Sequence, residues 1–161
     1  MAPKFLGNHE VRLDSKGRVS IPAPFRSMLV RHGQEGVVLF PSYKVDGAIE
    51  GCSPDFMDEL IDSVTDRELF SDEGEDLSAQ MFNDSAELNW DSNGRVVLPQ
   101  ELIEIAGLTD AAIFAGNGRM FRIFEPQHYT AWKAARRRSL KEKSPSLVIG
   151  RGRRGAPEDE A

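Results

Sequence analysis

The sequence predicts an α+β fold, mainly β, built from two related halves with flanking helices. Three observations carry this prediction. The segment Leu13-Asp14-Ser15-Lys16-Gly17-Arg18-Val19-Ser20-Ile21-Pro22 returns 77 residues later, without a gap, as Trp90-Asp91-Ser92-Asn93-Gly94-Arg95-Val96-Val97-Leu98-Pro99. Just before the two turns, Val11 and Leu13 alternate with Arg12, as Leu88 and Trp90 alternate with Asn89. That period of two is the mark of a strand with one buried face. After each copy, a short apolar-periodic segment opens behind a proline and closes at a glycine, the usual asymmetry of a helix.

The elements follow in order. In the first copy a strand enters the Asp14–Gly17 turn, and a second strand leaves it toward Pro22. A helix is predicted from Ala23 to Arg31, closed by Gly33, and then a buried strand over Val37-Val38-Leu39-Phe40. A less regular strand is expected in the Lys44–Glu50 stretch. Ser53-Pro54 starts a helix with Phe56, Met57, Leu60, Ile61 and Val64 on one face. The link over 65–83 is acidic and predicted to be partly helical. The second copy repeats the plan, with a helix from Gln100 to Ala106 closed by Gly107 and a strand over Ala112-Ile113-Phe114-Ala115. Asn117-Gly118 is a strong hairpin signal, and it leads into Met120–Phe124. A last helix follows Glu125-Pro126; it carries Tyr129, Trp132 and Ala135 and then turns basic. The expected boundaries are a first repeat at 7–54, an acidic helical connector at 55–83, a second repeat at 84–127 and a C-terminal helix at 128–142. The tail, 143–161, is rich in Ser, Pro, Gly and Arg, ends in Glu158-Asp159-Glu160, and is expected to be disordered.

Composition excludes several classes. The chain has 161 residues, 40% of them hydrophobic and 29% charged, which suits a soluble globular protein. No apolar run approaches the roughly 18 residues a membrane span needs. Met1-Ala2-Pro3-Lys4-Phe5 has no apolar h-region, so no secretory signal and no membrane partner are expected, and the expected location is cytoplasmic. One cysteine, Cys52, and three histidines cannot make an internal disulfide or a Cys/His zinc cluster of ordinary spacing. No metal or cofactor is expected. His9, His32 and His128 have no nucleophile motif near them, pairs such as Asp58-Glu59 and Asp72-Glu73 read as solvated, and Gly116-Asn117-Gly118 lacks the lysine of a P-loop. No acid, nucleophile and orienting group can be assembled, so neither an enzyme nor a small-molecule substrate is expected.

The formal net charge is −6, but its distribution matters more. Residues 1–26 hold five bases and two acids, residues 55–104 two bases and fifteen acids, and residues 133–154 nine bases and one acid. A phosphate backbone responds to a local patch and is indifferent to the overall balance.

The turns are the candidate site. Asp14 and Ser15, and their counterparts Asp91 and Ser92, can accept bonds from turn N–H groups, while Gly17 and Gly94 can take positive φ. A turn braced in this way holds Lys16 and Arg18 in fixed places. Arg18 offers a planar fork for phosphate or guanine, and Lys16 a compact charge. Arg12 lies on the polar face of the preceding strand, and Arg95 repeats Arg18. A two-stranded β element fits the major groove, so no recognition helix is needed. The structural alternative is that Asp14–Arg18 and Asp91–Arg95 are ion pairs that merely pin the turns. An exposed pair contributes only about 0–1 kcal/mol, a weak reason to build it twice. Arg136, Arg137 and Arg138, near the end of the last helix, either complement its dipole or make a non-specific DNA contact. Gly150-Arg151-Gly152-Arg153-Arg154-Gly155 resembles either an RGG-like arm that raises affinity without reading sequence or a dispensable tail, and Cys52 reads as packing.

The two D-S-x-G-R-V-x-[IL]-P segments resemble the D-x-x-x-R signature of the SpoVT-AbrB-like DNA-binding family. Two copies in one chain, with Phe5-Leu6-Gly7 near the start, are similar to the MraZ family of transcriptional regulators over roughly residues 5–138. Leu6 departs from the pattern, standing where that family commonly has an arginine. The resemblance implies two tandem AbrB-like swapped-hairpin halves that form an intramolecular pseudo-dimer. It also implies a ring-like homo-oligomer, associated with the nucleoid, that binds double-stranded DNA at short tandem repeats. Those repeats would lie in the promoter of the division and cell-wall operon containing its own gene. The alternative is an oligomeric protein-interaction module without specific DNA binding, which would use the acidic belt and the apolar helix faces Phe56/Leu60 or Tyr129/Trp132.

Overall fold

The duplicated segment folds the same way twice in the computed structural model, which describes residues 2–67, 72–144 and 146–147. The first copy runs β1 (Asn8–Arg12), β2 (Arg18–Ser20), α1 (Ala23–Arg31), β3 (Gly36–Pro41) and β4 (Ile49–Cys52). Helices α2 (Pro54–Arg67) and α3 (Asp72–Ser78) and a π-helical turn (Ala79–Asn83) form the connector. The second copy runs β5 (Ala86–Asn89), β6 (Arg95–Val97), α4 (Gln100–Ala106), β7 (Ala111–Asn117) and β8 (Met120–Phe124), and α5 (Pro126–Lys143) follows.

Local chemistry sets the helix limits. Pro22 and Pro99 hold extended backbone before α1 and α4, and their carbonyls accept the amides of Arg26 at 2.9 Å and Ile103 at 3.1 Å. Gly107 takes the left-handed conformation that ends α4 (φ 65°). α2 and α5 are capped alike. Phe56 N–H donates to Ser53 Oγ at 3.1 Å, and His128 N–H donates to Glu125 Oε1 at 2.9 Å.

The main sheet has six antiparallel strands in the order β1-β7-β8-β4-β3-β5, and β2 and β6 form a separate two-stranded ribbon. Only β3·β4 and β7·β8 pair within one repeat. β1 pairs with β7 and β3 with β5, so each repeat gives its first strand to the other's hairpin. The two remaining pairings join a strand to its own counterpart. In the ribbon Val19 faces Val96, and in the sheet Glu50 faces Arg122. The fold is thus α+β with a mainly antiparallel sheet.

One face of the sheet covers the principal core, which includes Val19, Val37, Leu39, Val96, Leu102 and Ile123. Phe5, Phe25, Phe114 and Phe121 meet there, the Phe5 ring 5.2 Å from Phe25 and 5.1 Å from Phe121. Burial of these aromatics accounts for much of the apolar driving force. Val38, Phe40, Cys52, Met57 and Met81 make a second cluster, against which Phe56, Leu60, Val64, Leu77 and Phe82 pack. Phe56 and Leu60 therefore pack against the chain's own core, where the alternative reading would have them face a partner, and Tyr129 is buried as well. Apolar periodicity is the same for a helix that packs on its own sheet and for one that packs on a partner.

The chain divides into two compact units, one ending at Tyr129 and one beginning at Thr130. The helix expected at 128–142 is α5, which starts two residues earlier at Pro126. The irregular strand expected at Lys44–Glu50 forms later, at Ile49–Cys52, because Ser42–Ala48 makes a loop closed by Ser42 N–H on the Ala48 carbonyl at 2.9 Å. Most of the tail, including Gly150–Gly155, lies outside the described residues. Among the described residues, no helix is long and apolar enough to cross a membrane, and no group of three or more His, Cys, Asp or Glu is placed to hold a metal.

Candidate nucleic-acid interface

Each turn is organised by its aspartate. Asp14 Oδ1 accepts the backbone N–H groups of Lys16 and Arg18, both at 2.9 Å, and Gly17 N–H donates to the Asp14 carbonyl at 3.0 Å. Asp91 Oδ1 does the same for Asn93 at 2.8 Å and Arg95 at 3.0 Å, with Gly94 N–H on the Asp91 carbonyl at 2.9 Å. Gly17 and Gly94 sit at φ 79° and 77°, where a Cβ would be strained. Ser15 and Ser92 were expected to share the bracing. Both are exposed, and among the described residues their hydroxyls make no hydrogen bond, so the aspartates do the work.

The two turns are tied to each other. Ile21 N–H donates to the Gly94 carbonyl at 3.0 Å, and Leu98 N–H donates to the Gly17 carbonyl at 2.8 Å. The ribbon between them has Val19 and Val96 buried beneath it. Its other face presents Arg18 opposite Val97 and Ser20 opposite Arg95. Val97 is 57% exposed, although it is apolar.

The two arginines differ. Arg18 Nε donates to Asp14 Oδ2 at 2.7 Å, and the side chain is 32% exposed. Its terminal nitrogens make no hydrogen bond among the described residues. Arg95 Nε stands 3.7 Å from Asp91 Oδ2, beyond hydrogen-bond reach, and is buried without a partner. The guanidinium is therefore aligned at one edge in the first turn and less constrained in the second. The backbone N–H of Arg18 does most to hold the Asp14 carboxyl down at about 2, helped by the Arg18 guanidinium and the Lys16 N–H. The Asp91 carboxyl is lowered chiefly by the Arg95 N–H, then by the Asn93 N–H and by the charges of Arg95 and Arg18. Arg18 thus acts on both aspartates.

Sequence reasoning missed one residue. Arg26, in the first turn of α1, donates from Nη1 to the Ile21 carbonyl at 3.0 Å, and its guanidinium covers Gly94 of the other repeat. Its counterpart, Ile103, covers Gly17 in the same way. The 77-residue interval pairs these two positions, but nothing local shows that each crosses to the opposite turn.

The other expected residues are placed as follows. Lys16 is exposed at the tip of its turn, and Arg12 is exposed at the end of β1, on the same face as Glu10. Arg136, Arg137 and Arg138 are exposed on α5, in the other compact unit, with the Arg136 guanidinium 4.6 Å from the centre of the Trp132 ring. Leu6 is 67% exposed.

Fold and site together define a duplicated, strand-exchanged α+β protein that carries two aspartate-braced, arginine-bearing turns on one ribbon. The family model described as "MraZ protein, putative antitoxin-like" matches residues 4–40 and 81–148. A transcriptional regulator MraZ of Parvibaculum lavamentivorans is 45% identical over 129 residues, 80% of each chain. That of Gluconobacter oxydans is 38% identical over 156 residues, covering 95% of this chain and 92% of its own, and that of Pelagibacter ubique is 34% identical over 143 residues. The chain belongs to the MraZ family.

Proposed function

We propose that this chain is a sequence-specific, DNA-binding transcriptional regulator without enzymatic activity, cytoplasmic and associated with the nucleoid. The observation that carries the reading is the ribbon face, on which Arg18 and Arg95 stand about a third exposed on two turns tied to each other. Guanidinium groups held in this way suit phosphate oxygens or guanine edges. The relatives' name, transcriptional regulator, supports the same reading. The exchange of β1 and β5 between repeats supports an AbrB-like swapped-hairpin pseudo-dimer. The operator we propose is a set of short tandem repeats at the promoter of the division and cell-wall operon containing the protein's own gene, as the resemblance implies. Assembly into a ring-like homo-oligomer would let many weak grips add through effective concentration.

The test is a titration of the full chain on a labelled duplex of that promoter region at fixed salt. Arg18→Ala should sharply weaken binding with fold and assembly intact, and Arg95→Ala should add to the loss. Unchanged affinity in the double variant overturns the reading.

A further inference from the structure

The second turn has a cationic deficit. In the first, Lys16 and Arg18 against Asp14 leave one positive charge. In the second, Asn93 replaces the lysine, so Arg95 and Asp91 cancel. Arg26 brings a further formal charge over Gly94 from outside the turn. Its guanidinium lies so close over Gly94 that a Cβ there would meet Nη1, with Cζ only 2.7 Å away. With Arg26 counted, both turns carry the same net charge.

Packing alone does not call for an arginine here. The equivalent position at the first turn is held by Ile103, whose Cδ1 lies 3.3 Å from where a Gly17 Cβ would be. An aliphatic group is therefore enough to cover the glycine. The charged residue stands where the turn lacks a lysine, and the aliphatic one stands where the lysine is present. Arg26 is half-buried; Nη1 is held by the Ile21 carbonyl, while Nη2 and Nε make no hydrogen bond among the described residues. Arg95 Nε, in the same turn, also makes no hydrogen bond, with Asp91 Oδ2 at 3.7 Å. The Arg26 guanidinium thus lies over the residue next to Arg95, in a turn whose own acid is Asp91.

The geometry points to a composite phosphate site at the second turn, formed by Arg95 of one repeat and Arg26 of the other, with Arg26 replacing the charge that Lys16 provides at the first. This rests on the DNA-binding reading above. It makes Arg26 a contact residue for the DNA backbone, and the two turns equal in grip though differently built.

The test uses the full chain, the labelled promoter duplex and the slope of log affinity against log salt. Each lost phosphate contact should lower that slope by about 0.9. Arg26→Ile installs the residue found at the equivalent position and should lower the slope by that amount, weakening binding about tenfold or more. Adding Asn93→Lys turns the second turn into a copy of the first and should restore the slope. A reciprocal pair keeps the test decisive even where Arg26→Ile does not fold. Lys16→Asn should lower the slope, and adding Ile103→Arg should restore it. A slope unchanged in Arg26→Ile, while Lys16→Asn lowers it, makes Arg26 a strut and overturns the inference alone. Slopes unchanged in Arg18→Ala, Lys16→Asn and Arg26→Ile together overturn the DNA reading itself.

Discussion

Glu50 and Arg122 face each other across the β4·β8 pairing while occupying the same position in the two repeats. They lie 72 residues apart, the interval that also separates Pro54 from Pro126. Glu50 Oε2 accepts Arg122 Nε at 2.8 Å and the Ser42 hydroxyl at 2.6 Å, with the Glu50 side chain 2% exposed and that of Arg122 14%. Two identical halves would put like charges here. The pair is thus a product of divergence between the copies, and it holds opposite signs where the repeats meet.

Removing one partner strands the other in a dry site. Arg122→Met should destabilise the fold by about 3–5 kcal/mol, since the Glu50 carboxylate loses its counter-charge. Glu50→Gln in the same chain should recover part of that loss, so the double variant is less damaged than the two single losses combined. Urea unfolding of the four proteins measures it.

Replacing Gly94 should test the contact with Arg26. Alanine there suffers twice, from a φ of 77° and from the guanidinium above it. The left-handed conformation alone costs about 1–2 kcal/mol in a residue with a Cβ. Gly94→Ala should lower the melting temperature by several degrees, and Gly94→Ala with Arg26→Ala should fall less than the sum. Differential scanning calorimetry resolves the two.

The first turn should respond to acid in a defined direction. Asp14 titrates near 2 in the folded chain, below its ordinary 3.8, so its stabilising contribution is present in full above the ordinary value and is lost as pH falls toward the lower one. Asp14→Asn should therefore destabilise the chain at neutral pH, and its deficit against the parent should close between about 4 and 2. Carboxyl chemical shifts in a pH titration give the midpoint directly.

Cys52 should be silent. Burial, and then the charge of Glu50, push its thiol up to about 12, and the residue is 0% exposed. A thiol reagent at pH 8 should leave the native chain unmodified and react at the rate of unfolding once denaturant is added.

Much of this was legible from residue order. α1 and α4 lie where the proline and glycine marks put them, and Asn117-Gly118 joins β7 and β8 as a hairpin. Those signals act within a few residues. Strand partnership does not, because alternation at Val11 and Leu13 says which side is buried but not that β1 lies against β7. The turn chemistry was legible for Asp14 and Asp91, whose bonds are local, and illegible for Arg26, which acts on a turn 68 residues further along. The Glu50–Arg122 pair was hidden for a similar reason: a charged residue in an apolar strand reveals its partner only when the strands are laid side by side.

The traded strands also bear on how the protein is made. A ribosome delivers the first repeat well before the second, yet Asn8 must wait for Ala115 and Val37 for Leu88 before either is hydrogen-bonded across the sheet. The first half can pair β3 with β4 as it emerges, but not β1 with its neighbour. Its first strand stays without its sheet partner until β7 has been made.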